Sequence, residues 1–334
     1  MKILMYSVRE HEKPAVKKWL EANPEVQIDL YDGALSEDTV SKAKGYDGIA
    51  IQQTNSLGGE TVYSCLKQYG INQIASRTAG VDMIDLKMAS AYNIIVTNVP
   101  AYSPNAIAEL AVTHTMNLLR NIKAINKRIA FGDYRWSADL IAREVRSITV
   151  GVIGTGKIGR TSAKLFKGLG ANIIAYDAYP DKKLEEDNLL TYKESLEDVL
   201  KEADVITLHT PLLKSTKHMI NKDNLKHMKS DAFIVNTGRG GIINTEDLIE
   251  ALEEKKIAGA ALDTFENEGL FLNKIVDPTK IPDPQLDKLL KMDQVLVSHH
   301  VGFFTTTAVQ NIVDTSLDSV MHVLKTSDSI NKVN

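Results

Sequence analysis

Three short stretches hold residue types that do chemistry, and each directly follows an apolar run. Arg239 lies in NTGRGG after Phe233 to Asn236, where flanking glycines leave room for a ligand beside its planar guanidinium. An arginine so placed grips a carboxylate through two parallel hydrogen bonds; a surface arginine in a turn has the same local pattern. DTFENEG follows Leu262 and holds Asp263, Glu266 and Glu268, which equally suit a solvated acidic loop. Ser298-His299-His300 follows Val295 to Val297. At a strand end one imidazole faces a cleft while its neighbour faces away, and a packed or exposed pair is the plainer alternative. Taken together, an anchor for a carboxylate, a histidine for proton transfer and a carboxylate beside it are what reduction of a 2-ketoacid requires. An imidazolium stabilises the charge gathering on the carbonyl oxygen and donates its proton there, and a neighbouring glutamate raises the histidine's pKa.

The stretch TVGVIGTGKIGR, Thr149 to Arg160, joins a buried-strand pattern to a glycine turn. Gly154 and Gly156 let the backbone turn and approach a pyrophosphate, Gly159 lets the next helix pack closely, and that helix points its N-terminus at the phosphates. Thr155, Lys157 and Ile158 within the turn, and Thr237 and Gly238 before Arg239, are expected to line the same cofactor. A second strand ends at Asp177, close to the ~20 residues beyond the glycines expected of a ribose-binding acid. An acid there accepts from the ribose 2'-hydroxyl and repels a 2'-phosphate, so NAD is the expected cofactor. A structural turn with a solvated aspartate is the bland alternative. No third ligand has helpful spacing to the histidine pair, so no metal is expected.

These pieces need a scaffold that presents strand ends. From Met1 to about Val96, apolar runs at Ile3 to Tyr6, Val26 to Tyr31, Gly48 to Ile51 and Ile94 to Val96 alternate with helical patterns, as in a parallel α/β domain. Ser103-Pro104 starts a long helical pattern that runs through Ile125. Six further strand patterns start near Val150, Ile173, Val205, Phe233, Ala258 and Val295, while the proline-rich stretch from Leu270 to Lys291 reads as irregular. The last helix, Thr305 to Leu324, has no strand after it and is free to return to the first domain. The expected architecture is two doubly wound parallel-sheet domains: a Rossmann NAD-binding domain at 103–299, inserted into a flavodoxin-like substrate domain at 1–102 and 300–334. With 334 residues, 43% hydrophobic, 25% charged and a net charge of −4, the chain has no basic footprint for nucleic acid, and no apolar run suits a membrane helix. The single cysteine, Cys65, rules out an internal disulfide. A cytoplasmic location is expected.

The order of the motifs resembles the D-2-hydroxyacid dehydrogenases, especially the bacterial D-lactate and D-2-hydroxyisocaproate branches. The resemblance rests on NVPAYSPNAIAE at Asn98 to Glu109, VGVIGTGKIGR, NTGRG at Asn236 to Gly240, ALDTFENE at Ala261 to Glu268, and VLVSHHVGFFTTTAV at Val295 to Val309. It implies an NAD-dependent enzyme, foremost a D-lactate dehydrogenase acting on pyruvate, with a D-2-hydroxyisocaproate type for larger 2-ketoacids as the alternative. It also implies that Arg239 binds the substrate carboxylate, His300 is the acid–base group and Glu268 is its partner, with Asp263 near the nicotinamide. By the same resemblance the amides of Ala79 and Gly80 receive carboxylate, Tyr102 and Phe303 lie near substrate, and Thr210, Pro211 and Thr216 line the cofactor. A homodimer is implied, through the helix from Pro104 and the region through Trp136. Two positions depart from the pattern: His299 stands where the family usually has proline, and close lactate-specific relatives carry a tyrosine near the position of Gln52. Gln52 is therefore a further candidate for substrate contact. A different class, an NAD-sensing interaction protein like the related transcriptional corepressors, shares these motifs.

Overall fold

Strand residues alternate between two faces, so a sheet covered on both sides needs strands that are apolar throughout. In the computed structural model, which describes residues 1–53 and 55–334, this pattern builds two separate sheets, one in each of two units: Met1–Ser103 with Phe303–Asn334, and Pro104–Gly302.

The first unit holds β1 (Lys2–Met5), β2 (Gln27–Leu30), β3 (Gly48–Ile51), β4 (Gln73–Ser76) and β5 (Ile95–Thr97), all parallel, in the order β2-β1-β3-β4-β5. That is the flavodoxin-like order. Leu4, Tyr6, Ile49 and Ile51 face one core, and Ile3, Met5 and Ala50 face the other. The second core is closed by the helix Thr306–Thr326, which buries Val309, Val313, Leu317 and Val320 at helical spacing. Each such side chain contributes about 1.5–3 kcal/mol on burial, which explains why the chain's last segment belongs to the first unit. The strand β4 is absent from the sequence reading. It has polar residues at both ends, yet Gln73 is buried and donates its amide to the carbonyl of Ile49 at 3.1 Å.

The second unit holds β6 (Thr149–Ile153), β7 (Asn172–Tyr176), β8 (Thr191–Tyr192), β9 (Val205–Leu208), β10 (Phe233–Asn236), β11 (Gly259–Leu262) and β12 (Val295–Val297). All pair in parallel, in the order β12-β11-β10-β9-β6-β7-β8. The order reverses beside β6, so the switch point where α/β sheets bind ligands lies at the ends of β6 and β9. The six expected strands are present, and the two-residue β8 adds an edge.

Three expectations are corrected. The helix from Pro104 stops at Leu119, and a second runs Ile122–Ala130, because Asn121 takes a left-handed conformation at φ +53. The stretch read as irregular contains the helix Pro284–Lys291, in which Asp283 accepts from the amides of Gln285 and Leu286 and Pro284 occupies the first turn. Residues 300–302 belong with the second unit, because the amides of His300, Val301 and Gly302 all donate to Asp263.

Candidate active site and cofactor cradle

The glycine turn leaves β6 at Gly154, whose φ is +89, and enters the helix Lys157–Gly168. A β-carbon on Gly159 would lie 1.9 Å from the Gly154 carbonyl oxygen, so only glycine lets the helix sit this close to the turn. A β-carbon on Gly156 would meet nothing within 4 Å. Protein packing therefore does not demand glycine at 156, whereas a phosphate approaching the backbone there would. Asp177 closes β7, and its Oδ2 accepts from the amide of Thr155 at 2.6 Å and from its hydroxyl at 3.0 Å. Oδ1 accepts from the amide of Tyr179 at 2.9 Å. The carboxylate thus braces the turn and retains acceptor capacity at its rim.

Polar groups without partners gather at the neighbouring strand ends. His209 and Thr237 directly follow β9 and β10, Thr264 is the second residue after β11, and among the described residues His209 Nδ1, Thr237 Oγ1 and Thr264 Oγ1 are buried with no hydrogen bond. Burial pushes His209 down to about 4, so the ring is neutral. Its Nε2 meets the Thr207 hydroxyl at 2.9 Å. Buried polar atoms left unpaired cost free energy, and three in a row beside the glycine turn fit a polar ligand. Neither His209 nor Thr264 stands among the candidates named from the sequence; the available signal was a polar residue within two positions of the end of an apolar strand. Thr216, by contrast, spends its hydroxyl inside its own loop, donating to Pro211 at 2.6 Å and accepting from the Leu213 amide at 2.8 Å. Thr210 turns its hydroxyl to the sulfur of Met219 at 3.7 Å.

Arg239, Glu268 and His300 lie beyond β10, β11 and β12, three adjacent strands. Of the three acids in DTFENEG, Glu268 reaches His300: its Oε1 lies 2.8 Å from Nδ1, and its Oε2 accepts from the Phe265 amide at 3.2 Å. Glu266 is committed elsewhere, to His218 Nε2 at 2.6 Å and to the amide and hydroxyl of Thr245 at 3.0 and 2.6 Å. His299 is exposed, while His300 is half-buried at φ +59. Asp263, grouped with the cofactor residues from the sequence, is buried and directs both carboxylate oxygens to the 298–302 turn. Arg239 is exposed and spends one guanidinium donor on the Gly238 carbonyl at 2.8 Å. Its turn lies tightly against the acidic one, since a β-carbon on Gly240 would fall 2.1 Å from the carbonyl carbon of Phe265.

The remaining candidates belong to the first unit. Ala79 and Gly80 follow β4 in a turn held by Thr78 Oγ1 donating to the Gly80 carbonyl at 2.5 Å and Asn98 donating to the Ala79 carbonyl at 2.7 Å. Tyr102 and Phe303 meet edge to face with centroids 6.3 Å apart. The Gln52 amide faces Glu12, and with its nitrogen on that side, the orientation the two acceptors require, it donates to the carboxylate oxygens at 3.2 and 3.3 Å. Glu12 in turn pairs with Arg77 at 2.8 Å, and both are almost wholly buried. Burial lowers the pKa of the Arg77 guanidinium and the charge of Glu12 opposes that shift. This buried pair was not anticipated; two charges sixty-odd positions apart leave no local pattern.

A glycine turn at the switch point, followed by an acid at the next strand end, defines the class of NAD-binding α/β oxidoreductases. The chain belongs to the D-isomer specific 2-hydroxyacid dehydrogenases: residues 112–302 match the NAD binding domain of that family. It is 62% identical over 334 residues to a D-2-hydroxyacid dehydrogenase (NAD(+)) of Clostridioides difficile, covering 100% of both chains. It is 44% identical over 333 residues to a D-lactate dehydrogenase of Lactiplantibacillus plantarum, covering 100% of this chain and 99% of the relative. Among solved structures, D-lactate dehydrogenase with NAD+ from Lactobacillus jensenii superposes with a TM-score of 0.93 at 39% identity, covering 100% of both chains. The protein is therefore an NAD-dependent D-2-hydroxyacid dehydrogenase, and the open space above Gly156 and the unpaired atoms of His209, Thr237 and Thr264 fit that cofactor.

Proposed function

We propose that this enzyme interconverts pyruvate and D-lactate, with His300 as the acid–base group, Glu268 as its partner and Arg239 as the anchor for the substrate carboxylate. The observation that carries the reading is the 2.8 Å contact between His300 Nδ1 and Glu268 Oε1. With Nδ1–H engaged by a carboxylate, the ring is held in one orientation and Nε2 is the nitrogen left to exchange a proton with the substrate oxygen. Glu268 balances the positive charge of the doubly protonated ring until that proton leaves. Arg239 keeps most of its donor fork for the carboxylate, which fixes the rest of a small 2-ketoacid. NADH held along the glycine turn by Asp177 and Thr237 would supply the hydride, while Asp263 braces the 298–302 turn. In this reading the unit carrying the glycine turn is the cofactor domain, and the other is the substrate domain, with Ala79, Gly80, Tyr102, Phe303 and Gln52 as substrate contacts.

The second reading is a preference for larger 2-ketoacids such as 2-ketoisocaproate. It is favoured by Gln52, which is drawn toward Glu12 and offers a side chain smaller than an aromatic ring. NADH oxidation measured across a 2-ketoacid series, with chiral analysis of the product, tests both readings. A strong preference for the branched substrate would remove pyruvate, and an L-product would refute the whole assignment.

The same proposal places the enzyme in the cytoplasm as a homodimer. Phe131, Tyr134, Trp136 and Ile141 are strongly exposed on one stretch after the helix Ile122–Ala130, and an apolar run of this kind suits burial against a second copy. Sedimentation of the wild type and of Trp136→Asp checks this; a monomeric wild type would overturn it.

A further inference from the structure

His300 sits in the left-handed region at φ +59, an uncommon conformation for a residue with a β-carbon. What holds it there is a single residue, Asp263, through its backbone carbonyl and its carboxylate. The backbone carbonyl of Asp263 accepts from the amide of His300 at 2.7 Å. Its Oδ1 accepts from the Val301 amide at 2.9 Å and from the Ser298 hydroxyl at 2.5 Å, and its Oδ2 accepts from the Gly302 amide at 2.9 Å. Asp263 is 2% exposed and makes no salt bridge among the described residues, so these donors are what offsets the cost of burying its charge.

The chain of bonds has a defined direction. A serine hydroxyl has one proton, and here it points at Asp263, so Ser298 Oγ must accept from its other neighbour, His114 Nε2, at 2.9 Å. His114 is buried on the helix Pro104–Leu119. Burial lowers its pKa, and a neutral ring protonated on Nε2 satisfies the geometry. His114 therefore donates to Ser298, Ser298 donates to Asp263, and Asp263 also accepts from the amides that follow His300.

We propose that His114, Ser298 and Asp263 are positioning residues whose hydrogen-bond chain clamps the 298–302 turn and so aims the His300 ring at Glu268. The inference rests on His300 being the acid–base group. Ser298 matters most, because its hydroxyl is both donor to the carboxylate and acceptor for the helix. His114 acts one bond further away and its loss is the milder perturbation.

The test uses the full chain, comparing wild type with Ser298→Ala, Ser298→Thr, His114→Phe and His300→Ala. It measures kcat and KM for the preferred 2-ketoacid, NADH affinity by fluorescence, and hydrogen exchange in the segment 298–304. Ser298→Ala should lower kcat about tenfold or more, the scale of a lost bond to a charged group, with NADH affinity nearly unchanged and faster exchange in that segment. Ser298→Thr, which keeps the hydroxyl, should restore both, and His114→Phe should fall between. The clamp is overturned if Ser298→Ala retains wild-type kcat and exchange, if Ser298→Thr is as poor as Ser298→Ala, or if NADH affinity falls in step with kcat. His300→Ala separates the two ideas. If it retains turnover, the acid–base assignment fails; if it abolishes turnover while Ser298→Ala does not, the clamp alone fails.

Discussion

Replacing Gly240 by alanine probes how closely the arginine turn must lie against the acidic turn. The new β-carbon would sit 2.1 Å from the carbonyl carbon of Phe265, 2.3 Å from its oxygen and 2.4 Å from the amide nitrogen of Glu266. Ordinary contact begins at 3.4 Å, so the two turns must part by 3.4 − 2.1 = 1.3 Å. All three atoms are backbone and cannot rotate aside. Overpacking of this kind costs about 1–3 kcal/mol of stability, which a domain of this size survives. Catalysis is the more sensitive readout, because displacing reacting groups by ~1 Å costs about 100-fold. Gly240→Ala should therefore lower kcat/KM for the 2-ketoacid about 100-fold, or about 2.7 kcal/mol of transition-state stabilisation. NADH affinity should fall by less than kcat/KM, since the glycine turn follows β6 and Asp177 follows β7, and only the contacts of Thr237, Gly238 and Thr264 lie in the displaced turns. Initial rates, NADH fluorescence titration and a thermal melt of the same preparation decide the matter. A folded variant with kcat/KM close to wild type would show that the apposition of the two turns does not set the position of Arg239 relative to Glu268.

His300→Ala should cut turnover by about 100-fold or more with NADH binding retained, and His299→Ala should do far less; steady-state rates in the reverse order would move the acid–base role to His299. Asp177→Ala should weaken the preference for NADH over NADPH, measured as the ratio of kcat/KM values, and an unchanged ratio would remove Asp177 from the ribose site. His209 carries a pH signature in stability. Its folded value is near 4 and an exposed imidazole's is 6.5, so the unfolded chain binds the extra proton between those limits and stability falls as pH drops through that window. The loss on reaching pH 4 is on the order of 3 kcal/mol. Urea midpoints from pH 7 to pH 4 should fall less steeply for His209→Gln than for wild type; parallel curves would mean that the ring is not buried neutral.

What the sequence disclosed was local, and what it hid was pairing at a distance. The glycine turn and Asp177 were legible because a strand, a turn and a helix start are written in consecutive residues. Neither His299 against His300 nor Glu266 against Glu268 could be separated by pattern alone, because each pair offers the same chemistry at neighbouring positions. The family resemblance chose His300 and Glu268, and the coordinates pair those two while sending Glu266 to His218 and Thr245. Strand β4 was missed because four residues with polar ends look like loop, and Pro284 was taken for a breaker when Asp283 makes it a helix start. The bonds from Asp263 to Ser298 and from Arg77 to Glu12 span 35 and 65 positions. No periodicity reports contacts of that kind.

Sheet order explains why residues so far apart in sequence act on one edge. After the switch beside β6, the strands β9 to β12 add outward one by one in chain order, so Arg239, Glu268 and His300 emerge from three consecutive ends spaced ~4.8 Å apart. The cofactor turn leaves the same sheet from β6. The glycine turn and the residues proposed as acid–base group, its partner and carboxylate anchor are thus carried by one hydrogen-bonded sheet. Gln52, Ala79, Gly80, Tyr102 and Phe303 belong to the other unit, on a separate sheet or its flanking segments. On the proposed reading, in which Gln52 contacts the substrate, a change at position 52 alters which 2-ketoacid is accepted and leaves the His300–Glu268 pair untouched. Substrate choice in this chain should accordingly respond to changes at Gln52, chiefly through KM, and proton transfer should not.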